Sequence, residues 1–151
     1  MMKIPLFVKK VLRELKKANF EAYLVGGCVR DLLLGKVPQD WDICTNARPS
    51  QVQKIFSHSF YENKFGTVTV VFSQKQSKKL ITQSKNLNHK KEVQITTYRL
   101  EAKYTDKRHP DKVKFTDSLE KDLARRDFTI NAMALDPLIK PVEIVDLFGG
   151  Q

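Results

Sequence analysis

Long apolar runs are missing from this 151-residue sequence. Nothing in it approaches the roughly 18 consecutive apolar residues of a spanning helix, so no membrane is expected as a partner. The first residues carry no signal-type apolar core. Cysteine is scarce. Cys28 and Cys44 form neither a metal-ligand spacing nor a disulfide framework, and they are expected as two buried free thiols in a reducing cytoplasm. Acid is short relative to base, with 17 Asp and Glu against 27 Lys and Arg and a formal charge of +10. That surplus fits a polyanionic partner, nucleic acid first among them, or an idle basic surface. What is present is a 41% hydrophobic fraction, enough for the core of one domain at this length.

The chain is organised around AYLVGGCVRDLLLGKVPQDWDICT, residues 22–45. It reads as a strand, a Gly-Gly turn, a short helix, a loop and a second strand carrying Asp40 and Asp42. Residues two apart on a strand share a face, so the two carboxylates are expected side by side. They repel unless a cation sits between them, and hard oxygen donors suit Mg²⁺ bound to a substrate's phosphates. Gly26 and Gly27 end the first strand and open the helix, where free backbone N–H groups cradle anions and glycine permits close approach. A phosphate cradle beside a carboxylate pair is the minimum for metal-assisted phosphoryl or nucleotidyl transfer. Each half also has a plain reading, a simple turn and a solvated Asp-x-Asp edge. Arg30 points either to solvent or back to the glycines.

The pattern GG-x-VRD-LLLG-x-x-x-x-D-x-D resembles the signature of the class II tRNA nucleotidyltransferases, which comprise bacterial CCA-adding enzymes and poly(A) polymerases within the polymerase beta-like superfamily. FGTVTVVF (65–72) and RRDFTINAMA (125–134) resemble further segments of that family, and DLFGG (146–150) resembles its usual DPFGG. The resemblance runs from about Phe20 to Gly150. It implies an α/β head domain whose mixed, mostly antiparallel sheet of about five strands carries helices on one side. The other face is left open to nucleotide and to a neck domain, with an exposed apolar patch. It implies Mg²⁺ on Asp40 and Asp42 and a triphosphate on Gly26, Gly27, Arg30 and Arg126; Asp127 and Asn131 read either as sugar-contacting or site-organising residues or as a cap or a buried tie. Guanidinium forks suit phosphate, although adjacent arginines also simply complement a helix C-terminus. The implied partners are CTP or ATP and a tRNA or other RNA 3′ end. Poly(A), CC-only or A-only addition, and a non-catalytic remnant that binds RNA or nucleotide, remain as alternatives. The family's neck motif, Glu-Asp-x-x-Arg, does not occur; Asp122-Leu123-Ala124-Arg125 matches in part but in the wrong place. Neck, body and tail are therefore expected to be absent, and a second chain could supply them.

Elsewhere the periodicity predicts helices over Val8–Ala18, Val29–Leu34 with Gly35 as its stop, and Ser50–Phe56 with Pro49 at its start. Strands are expected over Ala22–Val25, Phe60–Asn63, Val68–Phe72, Val93–Tyr98 and Pro141–Val145, with a brief one at Val113–Phe115. The lysines of the first helix read as solvated. Asp31 reads as a local ion-pair or cap residue. Asp117 and Glu120 stand at capping-box spacing before a short helix, and a second helix is expected after Asp127, closed by Leu135-Asp136-Pro137. Residues 74–91 and 103–114 read as polar, basic loops, with His109 in the latter. The resemblance places a third carboxylate where Gln94 stands, and an amide can neither take a proton nor add negative charge at neutral pH. Glu92, two residues earlier on the same face, either replaces it or merely ends a polar loop.

Overall fold

The first helix, α1 (Leu6–Lys17), has the stripe its spacing predicts. Val8, Val11, Leu12 and Leu15 are wholly buried, each worth roughly 1.5–3 kcal/mol on leaving water. Its lysines are not all solvated. Lys16 pairs with the buried Asp136 carboxylate and lies 5.7 Å over the Tyr23 ring. The aliphatic stem of a lysine can cross an apolar surface and still deliver its charge. A computed structural model describes residues 2–62, 65–73, 91–100 and 113–151. The loop expectations over 74–90 and 103–112, His109 included, fall outside the described residues.

After α1 come β1 (Ala22–Val25), α2 (Gly27–Leu33), β2 (Asp42–Thr45), α3 (Pro49–Ile55), β3 (Ser59–Glu62), β4 (Thr67–Phe72) and β5 (Lys91–Thr97). Then follow α4 (Leu119–Ala124), a 3₁₀ turn (Thr129–Asn131), β6 (Met133–Asp136) and β7 (Glu143–Asp146). One sheet has the order β3-β4-β5-β2-β1-β6-β7. It is mixed and mostly antiparallel as expected, with β2–β5 the parallel pair among the described strands. It has seven strands rather than about five. The main correction is at 133–136, where a helix was expected and a strand stands. Met133, Ala134, Leu135 and Asp136 are all buried, because β6 is held between β1 and β7 with Leu24 opposite Leu135 and Val25 opposite Ala134. Burial on both faces erases the alternation that marks a strand, and pairing overrides the helix preference of Met, Ala and Leu. The cap of α4 also moves by one residue. Ser118 Oγ accepts from the Lys121 N–H at 3.3 Å, while Asp117 pairs with Arg48 at 3.3 Å. The segment 113–115 contributes a single bridge, Arg99 to Phe115.

The sheet has a closed face and an open one. Leu24, Ile43, Val68, Val70, Val93, Ile95 and Leu135 form one core with α1, α2 and α3. On the opposite face Val25, Cys44, Tyr98 and Ala134 are covered by Leu123 of α4. α4 thus roofs one end of that face, and the rest of the face, around Asp42 and Gln94, is left for a site.

Candidate active site

Three elements converge at the C-terminal end of β1. Gly26 has φ +76 and ψ −142, a region essentially closed to side-chain-bearing residues. A Cβ there would stand 3.6 Å from Arg126 Nη1 and 4.0 Å from Asp42 Oδ2. The glycine therefore leaves open a gap flanked by a carboxylate and a guanidinium. Gly27 starts α2, and Arg30 one turn later folds back over it, with Nη2 3.4 Å from the position a Gly27 Cβ would take. Of the two orientations open to Arg30, the structure shows the one toward the glycines. Arg30 Nε and Nη2 donate to Asp31 Oδ1 at 2.9 and 2.8 Å, and Nη1 donates to Asn131 Oδ1 at 3.3 Å. Asp31 is thus the local ion-pair partner expected, and Asn131 is joined to the glycine turn through Arg30.

Asp42 begins β2 half-buried. Burial raises its carboxyl above the usual value, and the like charge of Asp40 adds to this while Arg126 opposes it. Asp40 itself is exposed, in a bend ahead of the strand, so the pair does not share one strand as expected. The ladder ends at Asp42 opposite Gln94, and the Gln94 N–H donates to the Trp41 carbonyl at 2.9 Å. Buried Trp41 anchors the chain there and releases it beyond. Cys28 ties α2 to both strands, its thiol donating to the Val25 carbonyl at 3.2 Å and leaning toward that of Asp42 at 3.7 Å. Burial pushes this thiol up to about 11, so it stays protonated and remains a donor. Both cysteines are buried and free, as expected.

The arginines are placed by a residue that the sequence marked only as part of a misplaced neck-motif match. Asp122 is fully buried. It accepts from the Arg99 backbone N–H at 3.0 Å, Arg125 Nε at 3.2 Å and Arg126 Nη2 at 3.1 Å. The signal was Asp-x-x-Arg-Arg, which on a helix sets one acid against cations three and four residues on. Arg126 Nε is buried with no hydrogen-bond partner among the described residues, a donor awaiting an acceptor. Asp127 is exposed, and its side chain makes no hydrogen bond or ion pair with the described residues; the structure does not bring it to the cluster.

Asp42, Gln94, Arg125 and Arg126 line a cleft of about 290 Å³, joined by Arg99, Glu62 and the threonines Thr67, Thr69 and Thr96. Thr67 and Thr69 lie within FGTVTVVF, whereas Arg99, Glu62 and Thr96 had no local motif to mark them; the packing of their strands and of the segment after β5 brings them in. Gln94 sits directly beside Asp42. Glu92 shares its face but is not among the described residues that line the cleft. The donor set fits one divalent cation. Two carboxylates offer hard oxygens, and the charge of a cation would relieve both the burial of Asp42 and its repulsion from Asp40. No group of three or more His, Cys, Asp or Glu able to hold a metal occurs among the described residues.

Comparison with known proteins bears on this geometry. The profile of a family described as "Poly A polymerase head domain" matches residues 22–151. The chain is 45% identical over 141 residues to a CCA-adding enzyme of Lactobacillus delbrueckii subsp. bulgaricus, covering 93% of this chain and 31% of the relative. It is 45% identical to one of Streptococcus suis, covering 93% and 30%. Among solved structures, the Bacillus stearothermophilus CCA-adding enzyme in complex with CTP is similar with a TM-score of 0.73 at 37% identity, over 99% of this chain and 31% of that one. A tRNA nucleotidyltransferase complexed with a primer tRNA and an incoming ATP analog gives 0.61 at 31% identity, over 93% and 35%. The chain spans about a third of the length of these relatives.

Proposed function

The chain belongs to the poly(A) polymerase head-domain family, and on that premise we propose that it is the catalytic head of a metal-dependent nucleotidyltransferase that adds CTP- and ATP-derived nucleotides to a tRNA 3′ end. The observation that carries the reading is the convergence of Gly26, Asp42 and Arg126 on one gap. The reaction forms a bond between the RNA 3′-oxygen and the α-phosphorus, breaks the bond to the β-phosphate oxygen and releases pyrophosphate. Gly26 and Gly27 give the triphosphate room and backbone donors. Arg126, steered by Asp122, supplies a charged fork, and Arg30 closes the other side with Asn131 as its anchor. Asp40 and Asp42 would hold Mg²⁺, which when bound neutralises phosphate charge and makes the attacking hydroxyl more acidic.

The relatives' greater length, and their printed association with tRNA, CTP and an ATP analog, support a larger working unit. Phe128, Ile130, Leu147 and Phe148 are exposed, and Gly150 packs against the Thr129 backbone with no room for a Cβ. These apolar residues around the 3₁₀ turn and the DLFGG segment offer a surface on which neck and body segments, in this chain or a second one, would sit. A cytoplasmic location goes with tRNA as substrate; no described helix is long and apolar enough to cross a membrane. The direct test is incorporation of labelled CTP and ATP into tRNA lacking its 3′ end, with Mg²⁺, alone and with a neck-and-body chain added, beside an Asp40→Ala/Asp42→Ala control. Incorporation that survives in the control would sink the reading.

Gln94 favours one second reading, a remnant that binds RNA or nucleotide without turnover, since an amide stands where a third carboxylate would neighbour Asp42. A restoring substitution separates the two. Gln94→Glu is expected to tighten Mg²⁺ binding, measured by calorimetry, by roughly tenfold through the added ligand charge. In an active head it also lowers the Mg²⁺ concentration needed for incorporation; in a remnant it changes binding alone.

A further inference from the structure

The strand order gives the proposed reaction a direction. In an in-line displacement the attacking oxygen and the leaving pyrophosphate stand on opposite sides of the α-phosphorus. In the proposed function the triphosphate tail lies against Gly26, Gly27 and Arg30, on the β1–α2 side of Asp42. The acceptor must then arrive from the other side, across β5, β4 and β3. Register shows what it meets. Asp42 pairs with Gln94, Gln94 with Thr69, and Thr69 with Phe60. Paired residues on neighbouring strands share a face, so these four form one row across the open face. Phe60, at the far end, is 66% exposed and belongs to neither core cluster. Three strand spacings put it about 14 Å from Asp42.

We propose that Phe60 is a stacking platform for a base of the acceptor RNA's single-stranded end, just behind the nucleotide that carries the reacting hydroxyl. This rests on the proposed function and adds the path of the acceptor. Three features commit the face to RNA. The row is continuous with the Asp42 site. Thr69 and Gln94 along it offer polar contacts without apolar area, which suits ribose and base edges more than a protein core. Arg99 lines the same cleft, its Nη1 donating to the Phe65 carbonyl at 2.8 Å, and with the chain's +10 charge it suits a polyanion. A base stacked on an exposed aromatic needs no particular sequence, as an acceptor end that changes with each addition requires. Glu62 in the next row repels phosphate and so turns a base edge, not the backbone, toward β3.

The test is equilibrium binding of a fluorescent RNA oligonucleotide ending in unpaired acceptor nucleotides, by anisotropy at fixed low salt, with CTP and ATP binding measured in parallel. Phe60→Ala is expected to weaken RNA binding roughly 5- to 100-fold and to leave nucleotide binding unchanged, while Phe60→Trp retains RNA affinity. An abasic residue behind the terminal nucleotide should weaken wild-type binding similarly and add nothing further in Phe60→Ala. Unchanged RNA affinity in Phe60→Ala overturns the inference, as does an equal loss on intact and abasic RNA. So does a change of oligomeric state on size exclusion with RNA binding intact, which would mean that a second copy covers the ring. A wild-type protein that binds neither RNA nor nucleotide sinks the proposed function itself, a distinct outcome.

Discussion

Replacing Asp42 with Asn is expected to abolish nucleotide incorporation and at the same time raise the melting temperature at neutral pH. The activity loss should exceed about 10³-fold, since a metal-holding carboxylate supplies several kcal/mol of charge stabilisation and each ~1.4 kcal/mol is a factor of ten. The stability gain follows from burial. Asp42's folded pKa is raised, so the folded protein holds the proton more tightly than the unfolded chain. Stability from this group is greatest below the ordinary carboxylate pKa of about 3.9. It declines as pH rises toward the folded value and stays low at neutral pH. Asparagine removes that pH-dependent loss. Thermal melts of wild type and Asp42→Asn across acid to neutral pH should therefore diverge upward from the acid end. Asp40→Asn makes the contrast, because Asp40 is exposed. It should lose activity with little change in melting temperature. A melting temperature for Asp42→Asn below that of wild type at pH 7 would show that the carboxylate is held by the fold rather than strained by it.

Asp122→Ala is expected to be the most damaging substitution outside the carboxylate pair. It would leave Arg125 and Arg126 partly buried without their counter-charge and the Arg99 N–H without its acceptor. Breaking a buried pair by removing one partner costs about 3–5 kcal/mol, a large share of the roughly 5–15 kcal/mol that holds a domain of this kind together. The denaturation midpoint should fall accordingly. Asp122→Asn keeps volume and an acceptor oxygen, so it is the variant for function. There the KM for nucleotide should rise more than kcat falls, because Arg126 would lose the anchor that aims it at Gly26, while Asp42 stays in place. If Asp122→Asn lowers kcat with KM unchanged, the residue does not act through the triphosphate contact.

How much of this was legible differs by element. The stripe of α1, the glycine turn, Pro49 at the start of α3 and the strand-forming runs of β4 and β5 rest on local periodicity, residue type and local backbone chemistry, and they stand where expected to within a residue or two. The family signature brought Asp42, Gly26 and Arg126 to attention from segments more than 80 residues apart in the chain. The strand at Met133–Asp136 was not legible. Its residues favour a helix locally, and only β1 and β7 on either side make it a strand. Asp40 was placed on the strand with Asp42 because the spacing allows it; the ladder with β5 ends at Asp42, two residues short of Asp40.

By itself, then, the sequence determined the chain's class, its basic character, its carboxylates and glycines, and the family to which it belongs, because those depend on residue type and short-range spacing. Tertiary structure alone decided that Asp122 aims both arginines and that Glu62, Arg99 and Phe60 share the open face. Each of these is a relation between residues remote in the chain, set by strand order and register. Pairing of side chains across a sheet depends on which backbones are hydrogen-bonded to which, and no local pattern in one strand states the register of its neighbour.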